Sequence, residues 1–541
     1  MGACRTVFAQ GALGGITGTV ADSTGAVIPN VKVDLKNLDT GLTLATVSSS
    51  TGSYSFNALP IGRYSVTFSM VGFNSQVYSP IQVQAQRTST VNGVLNAGSV
   101  STTITVTATP LLNKVDVTNG YVMGTATIEA TPLGTGSFTQ LAVLSPGVSA
   151  DLLSGSGTNA GLGNLNINAN GQRDTSNSIS FNGINANNIF NGKTSSFVAE
   201  NRFDLNTGES FLAGGQIATN TSVYDAIGQG LPTPPPETLQ EIRVNTSMYD
   251  ASEGANSGAH IELLTKSGTN DVHGMLYEYF QNNIFNAAPY FFNATPAIPQ
   301  EQKVPALHRN TFGGTIGGPI KKDKIFYFAS YQGVRDHDQF NGYSQATVPL
   351  RLTNDRSAAT LAQEFNITNP VTGLVDPTQI NPSALAIMNF KLTNGQYLIP
   401  SPQITDANTA LQLGYDTVLQ GQPSTFSADQ LNGNIDYIIS EKDRMAVKYY
   451  YQNDPTTNPF AVSNLLGFGQ TLNAGSQVIS LDNTVVVSPS VTWEQKIGFT
   501  RQTAFANTVQ PLTPSDVGIN LFGSDIFPGL TFRNASSALG W

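Results

Sequence analysis

Leu431-Asn-Gly-Asn-Ile-Asp-Tyr-Ile-Ile-Ser440-Glu-Lys-Asp-Arg-Met445-Ala-Val-Lys-Tyr-Tyr-Tyr-Gln452 reads as two strands joined by a tight turn. Leu431, Ile435, Tyr437 and Ile439 fall on one face and Asn432, Asn434 and Asp436 on the other, the period of two that a strand imposes. After the turn, Met445, Val447, Tyr449 and Tyr451 oppose Lys448 and Gln452. In 491–500, Val491, Trp493, Ile497 and Phe499 oppose Thr492, Glu494, Lys496 and Thr500, with Gln495 breaking the apolar face once. Comparable strands are expected near 272–281, 310–320, 324–334 and 477–487. A strand crossing a bilayer needs about 9 to 11 residues of this kind. A soluble sheet wetted on one side would alternate in the same way, so the connections decide. Those at 321–323, 440–443 and 488–490 are tight, whereas 282–309, 335–427 and 454–475 are long. Short turns at one end and long loops at the other are the pattern of a transmembrane β-barrel, and structureless loops of more than about 15 residues are uncommon in compact soluble domains.

Composition agrees. Of 541 residues, 40% are hydrophobic and only 11% charged, against about 25% charged in a typical soluble domain. With 28 Phe and 18 Tyr the chain is not a disordered polymer. A net charge of −10 without a Lys/Arg run argues against a nucleic-acid partner. No apolar run reaches the about 18 residues that a transmembrane helix requires. The length suggests three or four domains. The single Cys4 allows no intrachain disulfide. Residues 1–13 are expected to be a signal-peptide remnant with Val7-Phe-Ala9 as cleavage site. Myristoylation through Thr6 and lipidation at Cys4 are the weaker readings of the same residues.

Residues 14–98 read as a β-sandwich. Val31, Val33 and Leu35 share one face of a strand, opposite Lys32, Asp34 and Lys36, and turns fall at 22–25, 50–52 and 59–62. Gly18, Val20, Asp22, Gly25, Ile28, Pro29 and Val33, then Thr51 to Tyr64 as T-G-x-Y-x-F-x-x-L-P-x-G-x-Y, and Val71-Gly-Phe73, together resemble the carboxypeptidase regulatory-like domain. The resemblance implies a transthyretin-like sandwich of the carbohydrate-binding-like class. It does not imply a peptidase, because H-E-x-x-H and H-x-x-E-H are absent and His260, His273, His308 and His337 are scattered. No metal, cofactor or catalytic residue is expected. Gly313 to Gly318 could pass for a nucleotide loop, but the glycines sit in a strand pattern leading into Pro319.

Between sandwich and strands the character changes. Ser101 to Ala108 is a β-branched run that could close the sandwich or offer an edge to a partner's sheet. Residues 111–264 mix a short helix near 137–144 with strands at 165–169, 179–184 and 238–244. Asn170-Gly171-x-Arg173, then Glu237-x-x-Gln240-Glu241-Ile242-x-Val244 and Thr265-Lys-Ser-Gly-Thr-Asn270, resemble the plug of TonB-dependent outer-membrane receptors. The likeness continues through His273-Gly274, Asn310 to Ile320 and Lys324 to Tyr331, and points to the Oar-like branch. Asn182 departs from that pattern, where the family usually has Asp, and 192–236 fits no part of it.

The fold expected is therefore mainly β: a transthyretin-like sandwich (14–98), a linker (99–110), an α+β plug (111–264) and the first part of an antiparallel transmembrane barrel (265–541). Seven strands cannot close a barrel whose relatives use about 22, so the sequence is expected to be an amino-terminal fragment. The resemblance implies TonB-coupled import of a large substrate across the outer membrane, with the sandwich in the periplasm. It also implies that Ile104, Thr105, Val106, Thr107 and Ala108 are a TonB box, the strand that the TonB complex captures. The partners expected are that complex, outer-membrane lipid and an extracellular oligosaccharide, peptide or metal chelate. The alternative is a surface adhesin or carbohydrate-binding protein built wholly of soluble sandwiches.

Overall fold

The computed structural model describes residues 13–98, 103–106, 119–150, 162–190, 230–247, 256–288, 303–338, 343–349, 352–402, 415–488 and 491–527, apart from a few scattered positions. It also describes Gly192, Thr194, Tyr290 and the short strand pairs 201–203/210–212 and 530–531/538–539. The expectations placed on 1–12, Thr107 and Ala108, and on most of 192–229, lie outside these residues.

The sandwich is formed by β1 (Gly14–Asp22), β2 (Lys32–Asn37), β3 (Thr43–Val47), β4 (Ser53–Leu59), β5 (Gly62–Ser69), β6 (Ser75–Val83), β7 (Thr88–Thr90) and β8 (Gly93–Leu95). One sheet has β1 between β4 and the parallel strands β7 and β8; the other runs β3-β2-β5-β6. Val31, Val33, Leu35, Tyr54, Phe56, Tyr64, Val66 and Phe68 fill the space between them. Tyr54 and Phe68 meet edge-on at 5.4 Å, the arrangement aromatic pairs favour. The segment β9 (Thr103–Val106) joins the second sheet as its last strand, parallel to β6, with Gln76 opposite Ile104. The backbone thus takes up the sandwich-closing reading of that run.

The plug carries β10 (Asn119–Gly124), α1 (Thr125–Ala130), α2 (Phe138–Ala142), β11 (Val148–Ala150), β12 (Ile167–Ala169), β13 (Ser178–Phe181), β14 (Ile184–Asn185), β15 (Asn201–Phe203), β16 (Ser210–Leu212), β17 (Leu239–Ser247) and β18 (His260–Thr265). Its main sheet has the order β10-β17-β18-β13-β14. Ile179, Phe181, Ile242, Val244, Ile261 and Leu263 make its apolar core with Phe138 and Leu141 of α2.

Seven antiparallel strands form the wall: β19 (His273–Asn282), β20 (Leu307–Lys321), β21 (Ile325–Asp338), β24 (Ser424–Ser440), β25 (Asp443–Asn458), β26 (Gln470–Ser488) and β27 (Val491–Thr508). The hairpin β22 (Tyr343–Pro349) and β23 (Tyr415–Gly421) lies within the connection between β21 and β24. All seven expected strands are present, but most are longer than the alternation suggested: β24 has 17 residues and β26 has 19. The reason is visible on β24, where the outward positions beyond Leu431 become Asp429, Ser427 and Thr425, so the apolar period stops while the hydrogen-bond ladder continues.

The 335–427 connection is not a bare loop. It contains α3 (Ala358–Glu364), capped by Ser357, and α4 (Pro382–Asn389), capped by Asn381. Leu361, Ile387, Leu398 and Ile399 of this connection pack with Leu465 and Phe468 from the next one and with Leu512, Val517 and Phe527 after β27. The connections at the loop end therefore share one apolar core.

Candidate functional site

The wall carries an exposed apolar row on its outer face, while its inner face buries amides and hydroxyls beside Phe326, Phe328, Phe426 and Val478. In direct register, Ile435 on β24, Val447 on β25, Leu481 on β26 and Ile497 on β27 form a transverse row, extended by Tyr327 on β21. The four aliphatic members are exposed at 49%, 38%, 37% and 69%. Side chains at odd offsets from these on the same strands point the other way, and Asn434 (1%), Gln452 (1%), Ser480 (1%) and Gln502 (0%) among them are buried. A soluble sheet buries its large apolar residues and wets its amides. Here the order is inverted, as in a sheet facing hydrocarbon on one side and a polar lumen on the other.

The plug packs against that inner face and is held there by hydrogen bonds. Gln430 donates to the carbonyl of Thr233, and Thr233 N–H donates to Gln452 Oε1 at 2.9 Å. Thr500 and Gln502 on β27 donate to the carbonyls of Asn185 and Asn187, both at 3.1 Å. Tyr450 reaches from the wall into the plug core and packs on Phe181 with ring centroids 5.1 Å apart. Asn182, the departure from the family pattern, sits at φ 51°. Its Oδ1 accepts from Thr265 N–H at 3.1 Å and from Lys448 at 3.4 Å, and its carbonyl accepts from Lys496 at 3.4 Å.

The run Thr265 to Asn270 carries the chain from plug to wall. A Cβ on Gly268 would strike the carbonyl of Tyr327 and come within 2.7 Å of that of Gly318, so only glycine fits between the two strands. Asn270 clasps the wall turn, donating from Nδ2 to Asp323 Oδ1 at 2.7 Å and accepting from Asp323 N–H at 2.8 Å. Its own N–H donates to the carbonyl of Asp39 in the sandwich at 3.0 Å. The sandwich therefore lies at the tight-turn end, opposite the body that contains α3 and α4.

The residues singled out in the sequence are not gathered into one pocket. Asn170 (φ 50°) and Gly171 (φ 75°) form a left-handed turn, and Asn170 Nδ2 ties it to the carbonyl of Thr246 at 2.7 Å. Arg173 is exposed beyond it. Glu241 is buried on β17 and accepts from Ala85 N–H at 3.0 Å. Burial pushes its carboxyl up to about 7, against the lowering effects of the Ala85 bond and Arg243. Ile104 to Val106 lie in β9, remote in sequence from all of these. Ala85 and Arg444, which tie the sandwich to plug and wall, were not signalled in the sequence, since the groups held at the sandwich are backbone amides. Among the described residues, no group of three His, Cys, Asp or Glu side chains could hold a metal ion. A cavity of about 650 Å³ lies between the plug and the first wall strands, lined by Glu129, Glu237, Tyr279 and Arg309 among others.

Comparison with known proteins is consistent with this geometry. Residues 264–540 match the family model described as outer membrane beta barrel domain, and 15–96 match the carboxypeptidase regulatory-like domain. The TonB-dependent transporter Oar of Myxococcus xanthus is 24% identical over 337 residues, which are 60% of this chain and 26% of that protein. The chain thus spans about a quarter of that relative's length. Among solved structures, the outer membrane transporter YddB from Escherichia coli aligns with TM-score 0.42 and 12% identity over 72% of this chain and 39% of its own. A mutant of the ferric enterobactin receptor PfeA from Pseudomonas aeruginosa aligns with TM-score 0.32 and 11% identity over 72% and 46%. The family model spans half of the sequence and coincides with the inverted sheet, so the chain belongs to the outer membrane beta barrel domain family, with a carboxypeptidase regulatory-like domain ahead of its barrel.

Proposed function

We propose that the protein is an energised importer of the outer membrane, in which the plug obstructs the lumen and is displaced through a TonB-type complex. The observation that carries this reading is the polar lumen face sealed by hydrogen bonds to the plug, including Gln502 and Thr500 on the carbonyls of Asn187 and Asn185. Buried polar contacts of this kind hold a plug in place yet can exchange for water when it moves. The working division is a sandwich at 14–98 on the periplasmic side, a linker at 99–110, a plug at 111–264 and a barrel from 265. Ile104, Thr105, Val106, Thr107 and Ala108 serve as the strand offered to the partner, by β-augmentation. Asn170, Gly171, Arg173 and Glu241 serve the plug's turn and its docking. The protein performs no bond-making chemistry and needs no cofactor. Its substrate, whether oligosaccharide, peptide or chelate, is set by the body at the loop end.

The soluble-adhesin reading would require the wall's apolar row to be covered by a second sheet, and among the described residues none lies over it. The test is Val106→Pro, which removes a backbone donor within the offered strand. Energised uptake should be abolished while substrate binding at the cell surface is kept. Uptake at the wild-type rate in that variant would remove the assignment of the strand.

A further inference from the structure

The sandwich touches both other bodies, and the two contacts differ in how many buried, charged groups hold them. Against the plug, the turn between β6 and β7 enters the polar face of β17. Glu241 Oε1 accepts the N–H of Ala85 at 3.0 Å, and Arg243 donates to the carbonyl of the same residue. Ala85 is 0% exposed, Glu241 3% and Arg243 2%. Both amide groups of one residue are thus gripped by a carboxyl and a guanidinium in a dry site, and the bond from the charged guanidinium is roughly twice as strong as a neutral one. The turn is braced from its own side: Gln86 N–H donates to the Leu13 carbonyl and Gly15 N–H to the Arg87 carbonyl, both at 2.9 Å.

Against the wall one bond is buried and one lies at a rim. Asn270 N–H donates to the Asp39 carbonyl at 3.0 Å and Arg444 donates to the Ala58 carbonyl. Arg444 is 9% exposed, whereas Asp39 and Asn270 are only half-buried. A cavity of about 200 Å³ separates the three bodies there, lined by Asp39, Pro60, Gln240, Ser267 and Arg444 among others. The neutral Asn270–Asp39 bond at this rim exchanges with water more readily than the pair on Ala85, which leaves Arg444 as the one buried tie between sandwich and wall among the described residues.

We infer that sandwich and plug form one mechanical unit, joined at Ala85 by Glu241 and Arg243, and that the plane of separation lies between the sandwich and the wall. The inference rests on the proposed energised displacement of the plug and extends it. A load applied at β9 would pass along the β6–β9 ladder to the end of β6, from there to Ala85, and so into β17. The sandwich is then the handle by which the plug is drawn, and its contacts with the wall are what give way.

Two backbone amides report the two interfaces, and neither readout needs a transported substrate. In the full chain in lipid nanodiscs, residue-resolved hydrogen exchange should find the Ala85 amide about 100-fold or more slower than the Asn270 amide. Glu241→Leu should bring the two rates together, while Glu241→Gln, which keeps the acceptor, should leave Ala85 slow. Equal or reversed rates in the wild type, or an Ala85 rate unmoved by Glu241→Leu, would overturn the inference. The separation plane is read by pulling the bilayer-held chain, in a Cys4→Ser background, through a handle clicked onto an azide-bearing residue that replaces Thr105. A reducible bismaleimide between Thr40→Cys and Asp323→Cys, with the handle attached by orthogonal chemistry, should at least double the first rupture force, and reduction should restore it. An unchanged first rupture force would refute the plane. Because uptake enters neither measurement, failure here is distinct from wild-type uptake in Val106→Pro, which bears on the transport reading alone.

Discussion

Replacing Ile435 by Arg puts the sidedness of the wall on an energy scale. Ile435 is 49% exposed at the centre of the outward row, opposite Tyr327 on one neighbouring strand and Val447 on the other. If that row faces water, a surface substitution costs within about 0.5 kcal/mol. If it faces hydrocarbon, an Arg near the midplane of a barrel wall costs about 2–4 kcal/mol, which is roughly a 30- to 900-fold change in the folding equilibrium. Ser427→Arg supplies the internal control. Ser427 projects from the same face of β24 but lies beyond the last apolar position, Leu431, where the cost should be about 0–1 kcal/mol. Urea titration of folding into phospholipid vesicles, followed by Trp fluorescence and by protection from added protease, measures both. A cost for Ile435→Arg equal to that of Ser427→Arg, or folding of the chain in plain buffer to the same protease-resistant form, would refute the reasoning.

Three other outcomes are expected. Gly268→Ala places a methyl group against two backbone carbonyls, those of Tyr327 and Gly318; overpacking costs about 1–3 kcal/mol, and the yield of plug docked in the wall should fall while the sandwich of the same chain stays resistant to limited proteolysis. Phe68→Ala empties a fully buried position that contacts Tyr54 and Tyr78; at about 3–5 kcal/mol it should open residues 14–98 to limited proteolysis and leave the wall intact. The carboxyl of Glu241, held at about 7 in the docked state against an ordinary 4.5, makes docking pH-dependent. A raised folded-state value means the stabilisation is complete below about pH 4.5 and is lost as pH rises through about 7, by at most about 3 kcal/mol, because Glu262 and the plug's own packing hold part of the shift. The urea midpoint for release of the sandwich should therefore be lower at pH 8 than at pH 5, and Glu241→Gln should flatten the difference.

How far the sequence could be read follows from where its signal resides. Lipid imposes an apolar residue at every second position, so Leu431, Ile435, Val447 and Ile497 disclosed their strands. Beyond the apolar band the outward positions of β24 become polar while Phe426 and Ala428 turn inward, as Leu472 and Ala474 do on β26, so the outward apolar period that marks a lipid-facing strand is lost and the outer thirds of β24 and β26 could not be recognised. The turn residues Asn170, Gly171 and Gly268 were legible because left-handed or crowded backbone admits few side chains. The helices near 358 and 382 were overlooked although Ser357 and Asn381-Pro382 carry start signals, because seven or eight residues are too few to display a helical period. The docking of the sandwich was hidden for another reason: what Glu241 and Arg243 grip is the peptide backbone of an alanine, and any sequence supplies that.

The inverted wall is tested most directly by nitroxide scanning of 430–452 and 491–502 in bilayers, recording collision with dissolved oxygen and with a water-soluble nickel chelate. Labels at 435, 447 and 497 should show high oxygen and low nickel accessibility, and labels at 434, 452 and 502 should be low in both. Nickel reaching 435, 447 and 497 as freely as it reaches a solvent-exposed loop would contradict the account.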